Sequence, residues 1–334
     1  MKKYTWIAIL TLVLALVLSA CGTAQPAATQ APAKPFRVAV IMPSAKNDMA
    51  FSQSMYDALV AIQKEMGADK FEFVYSENMY VVDDAAAAIR DYASKGYDLV
   101  IAHGSQYGSS LQEIAPDFPK TSFAWGTTVD TFGEPNIFAY ESAADEGGYV
   151  NGVLAATLTK SKIIGVVSPI ETGDAKLYVE GFKQGVAATD PSVQVNVNYI
   201  GSFSDVALAA EAATTHISNG ADVLTGTAQM VVGAIGKAKE NNVLWFASDA
   251  DQSSLAPSIV VVSQVYHWEV VLREMISLIQ KGTLGGKSFA INLKNGGEVM
   301  LFNPGYNLPA DAKALADKTI QEIEDGTIKI TIEK

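Results

Sequence analysis

A carboxylate lies just beyond the first predicted strand of this sequence. The apolar run 36–42, FRVAVIM, is typical of a strand that is buried on both faces of a parallel sheet, and Pro43 ends it. Asp48 follows in a polar loop, before an amphipathic helix predicted over 49–66. Ligands of open α/β sheets bind beyond the carboxyl ends of the strands, so Asp48 is the leading candidate for a polar ligand contact. Asp48 could instead cap the helix that follows it.

Two later strands end in small residues that are followed by a glutamine. The run 97–102, YDLVIA, precedes Gly104 and Gln106, and the run 223–226, VLTG, precedes Gln229. Small residues at a strand end let a ligand approach the backbone, and a glutamine amide offers both donors and an acceptor. Gly104, Gln106 and Gln229 are therefore candidate ligand contacts. The shared pattern suggests a duplicated unit, although the turn that precedes each strand is also common turn chemistry.

Five aromatic residues stand after predicted strands or in loops, and not on the apolar face of a helix. They could stack on a flat heterocyclic ring, because offset stacking adds to the burial of apolar area. Each is equally compatible with packing in a core or a hinge. The five are Tyr107, Trp125, Phe203, Tyr266 and Trp268.

The sequence lacks the motifs of common enzyme classes. The segment 104–108, GSQYG, has its serine in the wrong place for a G-x-S-x-G elbow, and no phosphate-binding G-x-x-x-x-G-K-[ST] loop occurs. None of the three histidines is spaced from another as a metal pair on a helix. We expect no catalytic residue, metal or cofactor. Asp249 and Asp251 leave a hydrolase as a remote rival, and they could also be turn formers.

The N-terminus predicts a membrane anchor. Lys2 and Lys3 precede an apolar run at 7–18, which is too short for a comfortable transmembrane helix and typical of a secretory signal. The residues LSAC that end at Cys21 resemble the lipobox of bacterial lipoproteins, in which this cysteine is acylated after cleavage. We therefore expect a signal peptide over 1–21, a lipid anchor at Cys21 and a flexible tether over 22–35. Cys21 is the only cysteine, so no disulfide forms.

Composition and length restrict the rest of the chain. The sequence has 24 basic and 36 acidic residues and a net charge of -12, which argues against nucleic acid as a partner. Strand and helix patterns alternate, and without the signal the chain is long enough for two lobes of ordinary size. The late elements, a strand at 259–262 and helices at 268–281 and 310–324, would return to an earlier lobe. Such crossings predict a hinge.

Three blocks in this order resemble the basic membrane protein (BMP) family of ABC-transporter substrate-binding lipoproteins, which includes purine nucleoside receptors. They are VAVIMPSAKNDMAFSQS from Val38, EGGYVNGVLAATLTKSKIIGVV from Glu146, and DADQ at 249–252. The resemblance implies an α/β type I periplasmic-binding-protein fold, with two Rossmann-like lobes, three crossovers and a ligand cleft between the lobes. We expect the lobes to comprise residues 36–141 plus 252–287 and residues 142–251 plus 288–334.

The resemblance also implies roles for particular residues. Asp48 and Phe51 match ligand contacts of the first lobe, and Asp249 matches the second-lobe aspartate that holds the ribose in nucleoside binders. The cluster that contains Tyr266 and Trp268 looks closer to nucleobase-binding relatives. We expect a monomeric lipoprotein on the extracytoplasmic face of the cell membrane, which captures a purine nucleobase or nucleoside for an ABC permease. The alternative is a sensor that presents a flat heterocycle, such as riboflavin, to a membrane receptor.

Overall fold

The computed structural model describes residues 34–332. The expected signal peptide, the lipidation site at Cys21, residues 22–33 of the tether and the last two residues lie outside this range. Among residues 34–332, no helix is both long enough and apolar enough to cross a bilayer.

Strands and helices alternate along the described chain, as the apolar runs predicted. The strands are β1 (Phe36–Ile41), β2 (Phe71–Ser76), β3 (Leu99–His103), β4 (Ser122–Gly126), β5 (Ile137–Ser142), β6 (Ile163–Ser168), β7 (Gln194–Tyr199), β8 (Val223–Gly226), β9 (Leu244–Ala247), β10 (Val260–Tyr266), β11 (Lys287–Ile291) and β12 (Glu298–Phe302). The α-helices are α1 (Phe51–Met66), α2 (Val82–Ser94), α3 (Gly108–Ile114), α4 (Ala144–Leu158), α5 (Gly173–Thr189), α6 (Val206–Ser218), α7 (Val231–Glu240), α8 (Glu269–Gln280) and α9 (Ala310–Glu324). The bounds of β8 and α9 are those predicted, whereas β11 and β12 were not predicted.

The first sheet has the strand order β11-β5-β4-β3-β1-β2, and the strand pairs in this order are all parallel. Its central strands are buried on both faces. Val38 and Val40 of β1 belong to the apolar cluster that contains α1, while Ala39 and Ile41 belong to the cluster that contains α2. Successive side chains of a strand point to opposite faces, so a continuous apolar run is needed to fill both clusters.

The second sheet has the order β12-β10-β9-β8-β6-β7 and is parallel apart from the antiparallel pair of β10 and β12. Helices α4 and α5 pack closely against each other in this half. A Cβ atom on Gly152 would lie 2.1 Å from the backbone oxygen of Phe182, so only glycine permits this approach. Gly148 and Gly152 of the EGGYVNG block therefore allow α4 and α5 to pack closely.

The chain passes between the two sheets three times, after β5, after β10 and after β11. The predicted lobe boundaries need correction at two strands: β10 was assigned to the first lobe and lies in the second sheet, and most of β11 was assigned to the second lobe and lies in the first sheet. Strand β10 pairs with β9 and β12 in the second sheet, whereas β11 pairs with β5 in the first. An apolar strand fits the edge of either sheet, so the composition of 259–262 could not reveal its partner.

Candidate functional site

A cavity lies between the two sheets, where loops from both lobes leave the carboxyl ends of their strands. The empty space between the walls, with the open mouth included, is about 600 Å³. The loops after β1, β2, β3 and β4 form one wall, and those after β6, β7, β8 and β9 form the other. Six predicted contacts line the cavity: Phe51, Gly104, Gln106, Phe203, Gln229 and Asp249.

The ring of Phe51 forms a supported platform on the first-lobe wall. It stacks on the imidazole of His103, with ring centroids 3.8 Å apart and planes 6° apart. The His103 Nε2 atom lies 3.1 Å from the Phe51 carbonyl oxygen, and its Nδ1 atom lies 2.8 Å from the Tyr140 hydroxyl. A carbonyl can only accept, so Nε2 donates to it and Nδ1 accepts from Tyr140. Burial lowers the pKa of His103 to about 3, so the imidazole is neutral at physiological pH.

The carboxylate of Asp249 is held rigidly on the second-lobe wall. Asp249 is 2% exposed, and its Oδ2 atom accepts hydrogen bonds from the Ala228 backbone N–H (3.0 Å) and the Thr227 hydroxyl (3.4 Å). Burial, together with the nearby charge of Asp48, raises the pKa of Asp249 to about 6. Asp249 and Ala228 both have positive φ, at 69° and 75°. Such backbone strain is typical of functional sites.

Asp48 lies beside this cavity without lining it. Its Oδ1 atom accepts hydrogen bonds from the backbone N–H groups of Ala50 (2.9 Å) and Gln53 (3.0 Å). Its Oδ2 atom accepts one from the backbone N–H of Ser52 (3.1 Å). These bonds satisfy amides at the start of α1, which have no partner within the helix. Asp48 therefore satisfies the first amides of α1 as a capping side chain does, although Ala50 occupies the N-cap position itself. Direct ligand contact by Asp48 stays a prediction.

Tyr107 and Trp125 do not line the cavity, in contrast to the expectation from the sequence. Tyr107 is fully buried and donates its hydroxyl to the backbone oxygen of Met79 at 2.8 Å. The indole N–H of Trp125 donates to the backbone oxygen of Gly104 at 3.3 Å, and its ring stacks on Phe132 at 4.8 Å. Both rings pack behind the wall, where Trp125 helps to fix the backbone of Gly104.

Tyr266 and Trp268 lie at the second crossing between the lobes and also do not line the cavity. Trp268 is fully buried, and its indole N–H donates to the Ser54 hydroxyl at 2.9 Å. The two rings meet edge to face, with centroids 5.4 Å apart. The hinge-packing alternative describes this pair, since their rings face protein on all sides.

Asp174 lines the cavity and was missed from the sequence. It stands in the first turn of α5, directly after the loop that follows β6. Burial raises its pKa well above the usual range, and the charges of Glu141 and Asp249 add to this effect. A signal was present, because an acidic residue beyond the carboxyl end of a strand satisfies the same rule that identified Asp48.

The walls of the cavity combine aromatic rings with acidic and amide groups. Among the described residues that line it there is no lysine or arginine. Within residues 34–332, no group of three histidine, cysteine, aspartate or glutamate side chains could hold a metal ion. The arrangement can therefore enclose a flat, uncharged or cationic molecule by stacking and hydrogen bonds.

Two α/β lobes, three crossings and a cavity between facing strand ends define a two-lobed solute-binding protein. A solved solute-binding protein of an ABC transporter from Aeropyrum pernix K1 has the same fold: the TM-score is 0.78 at 19% identity, with 90% of this chain and 94% of the other covered. Residues 36–334 match the Bmp family model, described as "ABC transporter substrate-binding protein PnrA-like". The chain belongs to this family.

Two relatives show what similar chains bind. The purine-binding protein of Brucella abortus (strain 2308) is 26% identical over 260 residues, which cover 78% of this chain and 73% of that protein. The ABC transporter nucleoside-binding protein BmpA of Lactococcus lactis is 25% identical over 353 residues, covering 98% and 99%. The family description is that of substrate-binding proteins. ABC-transporter solute-binding proteins act outside the cytoplasm and deliver small molecules to a permease.

Proposed function

We propose that this protein captures a purine nucleobase or nucleoside in the interlobe cavity. The proposal rests on the Phe51 ring, which lines the cavity and is held in place by stacking on His103. A planar purine can stack on such a ring. Gln106, Gln229 and Asp249 can then form hydrogen bonds with the edge of the base or with a ribose.

The charge of the cavity supports this class of ligand. Aspartates line the cavity, and no basic side chain stands among its described lining residues. A nucleotide phosphate would enter without a charge partner, which is strongly unfavourable in a closed cleft. The names of the Brucella and Lactococcus relatives agree with a purine or nucleoside as the cargo.

Titration calorimetry of residues 22–334 with adenine, guanine, hypoxanthine, their nucleosides and riboflavin tests the proposal. We expect binding of at least one purine and none of riboflavin. A preference for nucleosides over free bases would support a ribose contact at Asp249, and the reverse would indicate a nucleobase specialist. No heat with any purine would contradict the assignment, and mass spectrometry of ligand released from denatured protein would then identify the cargo.

Ligand capture in this proposal includes closure of the lobes. The Gln252 side-chain amide of the second lobe donates to the backbone oxygen of Met49 in the first lobe at 3.1 Å, so the two walls already touch beside the cavity. A ligand that contacts both walls stabilises this closed state relative to an open one. We expect small-angle scattering to show a more compact protein with a bound purine. Identical profiles with and without ligand would refute closure.

The anchor at Cys21 belongs to the same proposal. An acylated cysteine and the tether that follows it would hold the binding lobes at the membrane beside a permease. Cys21→Ser should move the protein to the soluble fraction or leave its signal uncleaved. An unmodified Cys21 in soluble wild-type protein would contradict the anchor.

A further inference from the structure

Two hydrogen-bond acceptors face the cavity without a donor. The Oδ2 atom of Asp174 and the Oε1 atom of Gln229 are both buried, and neither has a hydrogen-bond partner among residues 34–332. Gln229 is 6% exposed, and both side chains line the cavity. Ten buried side-chain atoms among residues 34–332 lack a partner, and these two are the ones whose residues line the cavity. Since buried polar groups in native proteins are usually satisfied, their position points to a donor on the ligand.

Helix capping does not explain the position of Asp174. A capping carboxylate accepts hydrogen bonds from the first backbone N–H groups of its helix, as Asp48 does at α1. The buried Oδ2 atom of Asp174 accepts no such bond within the described chain. The Thr127 hydroxyl of the opposite wall contacts the Asp174 carboxyl group, so this group reaches across the cleft.

We propose that Asp174 contacts the ligand and, together with Gln229, selects ligands that present N–H or O–H donors to the second lobe and carry no negative charge. This inference rests on the proposed purine function and adds a specificity residue to it. The amino groups of purines and the hydroxyl groups of ribose are such donors. Besides burial, the charge of Asp249 raises the pKa of Asp174, so a further negative charge beside these two acids is unfavourable.

Removal of the carboxylate from Asp174 tests the inference. Asp174→Ala should weaken the binding of the best purine ligand about ten- to a hundredfold, because a hydrogen bond to a buried carboxyl group is lost and its partner on the ligand stays unpaired. Asp174→Asn keeps the shape and should weaken it less. Glu171→Gln is the matched control. Glu171 is an exposed acid in the loop just before α5, and its side chain does not line the cavity. The control should bind like wild type.

Ligand pairs that differ by one donor identify the contact. Suitable pairs are adenosine with purine riboside, guanosine with inosine, and adenosine with 2′-deoxyadenosine. Wild type should prefer the donor-bearing member of at least one pair, and Asp174→Ala should lose that preference. Adenosine 5′-monophosphate should bind wild type at least a hundredfold more weakly than adenosine, because its phosphate meets acids and no base.

The outcomes separate this inference from the proposed function. If wild type binds purines and Asp174→Ala binds them with the same affinities and preferences, the proposed role of Asp174 is wrong. The purine function would then still stand. Equal affinity for adenosine and its monophosphate would overturn the charge selection. A wild-type protein that binds no purine would remove the proposed function itself, and this inference with it.

Discussion

The two walls of the cavity are built in opposite ways. The first-lobe wall presents the Phe51 ring, which is backed by His103, and its α1 helix is fastened by Asp48 and by the hydrogen bond between Ser54 and Trp268. The second-lobe wall presents two carboxyl groups, of which Asp249 lies on strained backbone, and two acceptor atoms that have no donor within the described residues. Within the described residues, the buried polar side chains of the first wall have hydrogen-bond partners, whereas two acceptors of the second wall have none.

This difference separates two tasks in ligand capture. A packed aromatic platform supplies contact area to any flat molecule at little cost to the folded protein. Buried acceptors and charges destabilise the empty protein, and a ligand with matching donors removes that penalty. We therefore expect affinity to depend on both walls, selectivity to depend mainly on the second, and mutations of the two walls to have opposite effects on stability.

The largest expected effect is a gain of stability from Asp249→Asn. The folded pKa of Asp249 is about 6, above its unfolded value, so its ionised form is disfavoured in the folded state. The penalty is absent below about pH 4 and complete above about pH 6, where it amounts to roughly 3 kcal/mol. Thermal unfolding of the ligand-free variant should show a higher Tm than wild type at pH 8 and a similar Tm at pH 4.

A matched control for this experiment is Asp69→Asn, which changes an exposed aspartate in the loop after α1. It should leave Tm nearly unchanged at both pH values. A lower Tm for Asp249→Asn at pH 8 would show that the second wall is not under electrostatic strain, and the contrast between the walls would disappear.

A smaller effect of opposite sign is expected at the first wall. Asp48→Ala removes three hydrogen bonds to backbone amides at the start of α1 and should lower the free energy of unfolding by about 1 to 2 kcal/mol. Asp48→Asn retains an acceptor oxygen and should lose less. Denaturant titration measures both values. An unchanged stability together with a large loss of purine affinity would favour the predicted direct contact of Asp48 with the ligand.

The smallest expected effect compares the two aromatic rings. Phe51 is fixed by stacking, whereas Phe203 is 37% exposed in the loop after β7. Phe51→Leu should therefore weaken purine binding by about three- to tenfold, which is the contribution of one aromatic pair. Phe203→Leu should weaken it less. Calorimetry with the best purine ligand measures both affinities. A larger loss from Phe203→Leu would place the main stacking surface on the second wall.

Much of the fold could be predicted because the central strands are buried on both faces. The stretches 38–42 and 99–102 are continuously apolar, so they mark strands and their carboxyl ends. The edge strands β11 and β12 carry partly exposed, mixed sequences and pair with one neighbour only. Their patterns resemble loops, and the crossings beside them depend on tertiary contacts that the local sequence does not encode.

The site could be predicted where position along the chain determines it. Gln106, Gln229 and Asp249 follow strand ends, and the topology of an open α/β sheet brings strand ends to one cleft. The direction of an aromatic ring is different, because it depends on packing. Trp268 faces Ser54, a partner 214 positions away, which no local pattern reveals. Asp174 obeys the strand-end rule, but an acid at a helix start has a simpler local explanation.

The three crossings have a consequence for how this chain acquires its structure. Strands β10, β11 and β12 complete the edges of the two sheets, yet they come from residues 260–302. A chain that emerges N-terminus first therefore exposes the open edges of β5 and β9 until its last part arrives. Open edges invite pairing with other chains, so partly synthesised molecules are the aggregation-prone species. A chain truncated before β10 would lack strands of both sheets, so neither lobe is complete until the C-terminal part is present.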